Sequence, residues 1–103
     1  MKSIITALVL GVFITAHAAP PKGGATLDAY CSGVYDQLAC ILRRDGDAKG
    51  YLKYFDKARR LSKRAEDHLP GHDLFLYALD GQESIIYAER GSVELVEELE
   101  RCQ

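Results

Sequence analysis

Apolar residues recur along this 103-residue chain mostly at three- and four-residue steps. No stretch alternates convincingly in steps of two, so the pattern predicts helices and no sheet. The first helix is expected to open at Thr26, a usable N-cap, with Leu27, Cys31, Val34, Leu38 and Ile41 or Leu42 on one stripe. Asp45-Gly46 stops it, Gly46 suiting the left-handed position after a helix. Asp47 caps a second helix whose buried stripe is read as Leu52, Phe55, Ala58, Ser62, Ala65 and Leu69, with Ala48 and Tyr51 alongside. Leu69-Pro70-Gly71 ends it. A third helix is expected from an Asp73 cap to Glu89, with Gly91 beyond its end and Asp80-Gly81 as its weak point. Ser92 caps a fourth, with Glu94 in its first turn and Leu95, Val96, Leu99 and Cys102 on its apolar side.

Short connections favour antiparallel neighbours, so the fold class expected is all-α, a small antiparallel helical bundle of about four helices. A different pattern precedes it. Lys2 is followed by an uncharged run of 13 residues, Ile4 to Ala16, then by Ala16, Ala18, Ala19 and the pair Pro20-Pro21. A basic start, a short apolar stretch and an A-x-A pattern read as a cleavable secretory signal peptide. The run is short of the roughly 20 residues a membrane-spanning helix needs. The expected organisation is therefore a signal peptide over 1–19, a flexible lead-in over 20–25 and a helical domain over 26–103. The expected location is the bacterial periplasm or the exterior. The absence of Asn, hence of any N-glycosylation acceptor, is compatible with that.

Export changes the meaning of the three cysteines, because an oxidising compartment favours pairing them. Cys31 lies near the start of the first helix and Cys102 near the end of the fourth, two ends that meet at one pole of an up-down-up-down bundle. A Cys31–Cys102 disulfide follows. Cys40 is nine residues beyond Cys31, on the opposite face, so those two cannot bond within one helix. Cys40 is left as a free or intermolecular thiol, able to join a homodimer or cross-link a partner, or else half-buried. A Cys40–Cys102 bond would need another helix order.

Charge is unevenly distributed. The segment Arg43 to Arg64 holds nine basic and three acidic residues, and Asp73 to Arg101 holds eight acidic and two basic. On the second helix Lys49, Lys53, Lys57, Arg60 and Arg64 step by three or four into one basic stripe, with Arg59 and Lys63 at its edge. Such a stripe either docks an acidic partner or is an ordinary solvated face, partly neutralised by Asp56 and by the acidic fourth helix. Export and a net negative charge argue against nucleic acid. Glu94, Glu97, Glu98 and Glu100 read as a solvated acidic face, and Tyr35 and Tyr54, at the edges of their stripes, as a candidate binding patch.

Catalytic and metal chemistry find little footing. No C-x-x-C, H-E-x-x-H or glycine-rich phosphate loop is present, and no serine has a recognisable base partner. His68 and His72 have the spacing of a zinc pair, but Pro70-Gly71 interrupts the helix between them. No enzyme activity, cofactor or metal is expected. The function expected is contact with a protein partner, in the manner of an inhibitor, an immunity protein, a chaperone or an envelope-complex subunit. The alternative is a small-ligand or metal-binding periplasmic bundle.

Overall fold

The computed structural model describes residues 23–89 and 95–103. The expected signal peptide, most of the lead-in, Gly91 and the Ser92 cap lie outside those residues. Among the described residues the chain is an all-α bundle of four helices: α1 (Gly24–Arg44), α2 (Ala48–Glu66), α3 (Gly71–Glu89) and the short α4 (Leu95–Arg101). None is long and apolar enough to cross a membrane.

The α1–α2 turn follows the expected chemistry. Gly46 has φ +88°, which only glycine adopts without strain. The backbone N–H groups of Gly46 and Asp47 donate to the carbonyls of Arg43 and Leu42, closing α1. The Asp47 carboxylate then accepts from the Gly50 N–H at 2.8 Å and opens α2. Two other starts differ from expectation. α1 begins at Gly24, and the Thr26 hydroxyl donates back to the Gly23 carbonyl, so Thr26 sits in the first turn and caps nothing. α3 begins at Gly71, which places Asp73 inside its first turn, where the helix dipole still favours a carboxylate.

α1 is the central element. It packs extensively against both α2 and α3, which touch each other little. Ala29 to Tyr35 are therefore buried without a break, far beyond the single stripe that periodicity predicts. A helix covered from two sides hides most of its circumference. The apolar centre is Tyr30, Cys31, Val34 and Ile85, with Leu27, Ile41, Leu61, Leu99 and Cys102 packed around it.

The α1–α3 contact explains why Asp80-Gly81 does not break α3. A Cβ on Gly81 would lie 1.9 Å from the Tyr30 carbonyl oxygen, and one on Gly33 1.8 Å from the Ala78 carbonyl oxygen. The two glycines let the backbones touch, and tertiary contact outweighs the poor helix propensity of glycine.

The C-terminus is tied to α1 at three consecutive points. Cys31 and Cys102 form the expected disulfide, with Cα atoms 5.5 Å apart. The Tyr35 hydroxyl donates to the Cys102 carbonyl at 3.0 Å. The Tyr30 hydroxyl donates to Glu98 Oε1 at 2.6 Å, and Arg101 pairs with the other carboxylate oxygen. Glu98 is only 6% exposed, whereas Val96 is 63% exposed. The apolar reading of α4 is thus corrected. The disulfide and the Tyr30 bond turn Glu98 inward with Leu99 and Cys102, and Val96 outward. Glu98 likewise leaves the solvated acidic face to which its neighbours belong. Replacing Glu98 by Ala strands the Tyr30 hydroxyl in the interior and should cost about 1–3 kcal/mol. Urea unfolding of Glu98→Ala and of Tyr30→Phe/Glu98→Ala tests this, the double variant being expected to recover part of the loss.

Candidate functional site

The described surface offers one region where charge and exposed apolar groups are organised together, along α2. Its inner side differs from expectation. Leu52 is 62% exposed and Phe55 36%, while Ala58 and Ala65 are buried and Tyr51, Tyr54 and Leu61 are half-buried. The seam with α1 therefore follows Tyr51, Tyr54, Ala58, Leu61 and Ala65. That set has the same three- and four-residue steps as the expected one and shares both alanines with it. The outcome favours the side that brings two tyrosines against α1 and leaves Leu52 and Phe55 in solvent.

The tyrosines organise the cations. Tyr35 of α1 and Tyr54 of α2 stack with ring centroids 5.6 Å apart, and the Lys57 ammonium lies 5.3 and 5.5 Å from the two centroids. Lys53 lies 5.2 Å from the Tyr54 centroid. Tyr35 is buried in this seam, so the pair is a joint between helices and not the open patch expected. Burial, with a smaller push from Tyr54, raises the pKa of its hydroxyl above the ordinary tyrosine value.

A second column runs beside the first. The Arg43 guanidinium lies 5.4 Å from the Tyr51 centroid, Tyr51 stacks on Phe55 at 5.6 Å, and the Arg59 guanidinium lies 5.9 Å from Phe55. The order is cation, ring, ring, cation, with Tyr51, Phe55 and Arg59 one turn apart. Each cation–π contact at such exposed sites contributes about 0.5–1 kcal/mol, enough to narrow the rotamers of long side chains. Arg59 is thereby held along the Phe55 ring at the surface.

Each member of the expected basic stripe has a place in this frame. Lys49, Lys53 and Arg60 are exposed, and Arg60 pairs with Asp56 one turn back at 2.6 Å. Lys57 is half-buried over the tyrosines. Arg64 reaches α1 and donates to both carboxylate oxygens of Asp28 at 2.8 and 2.9 Å. Those bonds push its pKa further up, as Glu89 does for Arg44 across the α1–α3 side at 2.5 Å. The stripe thus turns its Lys57–Arg64 edge toward α1. The outward surface is shared by Lys49, Lys53, Arg59 and Lys63 with Leu52 and Phe55, next to a shallow depression lined by Asp56, Arg59, Arg60, Ser62, Lys63 and Glu66. Sequence reasoning set Leu52 and Phe55 in the core and so missed them. The equally regular Tyr51–Tyr54–Leu61 register was the available signal.

Elsewhere, Cys40 is a free, exposed thiol on α1. His68 and His72 are both exposed, in the α2–α3 turn and the first turn of α3. Among the described residues no three His, Cys, Asp or Glu side chains gather as a metal site. A second exposed apolar group, Phe75, Leu76 and Leu79, lies on α3. No protein-family model, curated protein or solved structure matches this chain.

Proposed function

We propose that this is an exported, non-catalytic helical protein that works by contact with an acidic protein partner seated on the outward face of α2. An inhibitor, an immunity-type protein, a periplasmic chaperone and an envelope-complex subunit all act in this way. The observation that carries the reading is the preformed ladder Arg43–Tyr51–Phe55–Arg59 beside exposed Leu52. Arginine and aromatic residues on already ordered side chains are what protein interfaces favour, since little rotamer freedom remains to be lost on binding. The surplus of cations on the same face suits an acidic surface and speeds its approach.

The test is affinity capture from a bacterial envelope fraction, comparing the wild type with a doubly charge-reversed Arg59→Glu/Lys63→Glu variant. Both positions are exposed, so the fold should persist. One specific partner is expected on the wild type at low salt and should be lost from the variant. Capture that is equal with both proteins, or absent with both, overturns the proposal.

A further inference from the structure

The outward face of α2 has a geometry that narrows the kind of partner surface it accepts. α2 is covered by α1 on one side and barely touched by α3, so it is an edge helix with an open flank. On that flank two parallel rows run at four-residue steps: Leu52–Asp56–Arg60 and Phe55–Arg59–Lys63. Rows of this kind are the ridges on which a second helix packs, with a groove between them. The depression lined by Asp56, Arg59, Arg60, Ser62, Lys63 and Glu66 runs along the Arg59–Lys63 part of these rows, with Asp56 and Arg60 on one side of it and Ser62 and Glu66 on the other.

The rows also have a direction. Leu52 and Phe55 give the two rows an apolar end, flanked by exposed Lys49 and Lys53. Arg59 and Lys63 give a cationic end one to two turns on. Arg60 points its charge at Asp56 on its own helix, which leaves Arg59 and Lys63 as the cations facing outward at that end. From Leu52 to Lys63 is about 16 Å, or three turns, the length two crossing helices share.

Resting on the protein-contact reading above, we propose that the partner presents an amphipathic acidic α-helix that packs across α2. Its apolar row lies against Leu52 and Phe55, and carboxylates one to two turns further along meet Arg59 and Lys63. Charge complementarity selects an acidic occupant. The position of the apolar pair at one end selects one whose apolar and acidic residues are separated along a helix. An anionic lipid surface fits less well. Only two apolar side chains, Leu52 and Phe55, would enter it.

Fluorescence anisotropy with four probes tests this on the disulfide-bonded chain. The first is a labelled peptide with leucines at three- and four-residue steps in one half and glutamates one to two turns beyond them. The second is its sequence-scrambled isomer, the third the same peptide with a central proline, and the fourth vesicles of phosphatidylglycerol. The helical peptide should bind at least about tenfold more tightly than the scrambled and proline-broken ones, and gain helical circular dichroism on binding. Phe55→Ala and Arg59→Ala, exposed positions whose loss leaves the core intact, should each weaken it about tenfold. Equal binding of the scrambled isomer, or preferential binding to vesicles, overturns the helical partner and leaves α2 as a simple anion-binding face. Failure of every acidic probe overturns this inference together with the proposed use of the α2 face.

Discussion

Reducing the disulfide, or replacing Cys102 by Ser, is expected to destabilise the domain by about 4 kcal/mol. The bond joins residues 71 apart, from the early part of α1 to the chain's last turn, so it encloses nearly the whole fold. Opening it returns to the unfolded chain the entropy of a loop of that length. A single core of this size supplies only roughly 3–5 kcal/mol by itself, so the bond contributes about half of the total and the reduced protein should unfold at a much lower urea concentration. Cys102→Ser is the cleaner variant. Its backbone carbonyl can still accept the Tyr35 hydroxyl, and Tyr30 still meets Glu98. The non-covalent ties to α4 thus remain while the covalent one is removed. Urea unfolding with and without dithiothreitol measures the effect. The slope with denaturant should steepen on reduction, because a chain without the cross-link exposes more surface when unfolded. Cys40→Ser is the control. Cys40 is exposed and unpaired, and its replacement should stay within about 0.5 kcal/mol of the wild type. A midpoint insensitive to reduction would contradict the structural role given to the bond.

Gly81→Ala is the second large expected effect, and its sign separates two ways of reading the residue. As a glycine within a helix it should yield about 1 kcal/mol of stability on replacement by alanine. As half of a backbone-to-backbone crossing it should do the opposite. The new methyl would stand 1.9 Å from the Tyr30 carbonyl oxygen and 3.0 Å from the Val34 nitrogen, and main chain cannot swing aside as a flexible side chain does. α1 and α3 would have to part by more than an ångström, opening a gap beside Val34 and Ile85, the two largest fully buried side chains. A net loss of about 1–3 kcal/mol is expected. Gly33→Ala, facing the Ala78 carbonyl oxygen at 1.8 Å, should behave alike. The double variant should lose less than the sum, because one separation of the helices relieves both clashes. Gly71, in the first turn of α3 with open space around it, supplies the contrast, and Gly71→Ala should be neutral or stabilising. Thermal unfolding of the three single variants and the double decides it. A Gly81→Ala protein more stable than the wild type would refute the close crossing.

Which parts of this molecule were legible in its residues follows from the range over which each feature is decided. The Asp45-Gly46-Asp47 turn was legible because a left-handed glycine and an N-cap carboxylate act within four residues. The disulfide was legible because helix order and short connections bring the start of α1 to the end of the chain, whatever the side-chain details. The acidic α4 misled. Glu98 looks like its neighbours Glu97 and Glu100 until a tyrosine hydroxyl 68 residues away is brought within 2.6 Å. The candidate site was half legible. The cations of α2 were apparent, but which of them face a partner depends on how α2 is rotated against α1.

The sequence by itself determined that this chain is helical, that Asp45-Gly46-Asp47 turns the first helix into the second, which two cysteines pair and that α2 carries the positive charge. Each of those rests on local backbone chemistry or on the order of elements along the chain. Only the tertiary structure decided that α1 lies between α2 and α3, that Gly33 and Gly81 are crossing points, that Glu98 is interior and that Leu52, Phe55 and Arg59 face outward together. Periodicity says that a helix has an apolar side. Where two stripes on α2 share Ala58 and Ala65, only the fit of Tyr51 and Tyr54 against a particular neighbour selects between them.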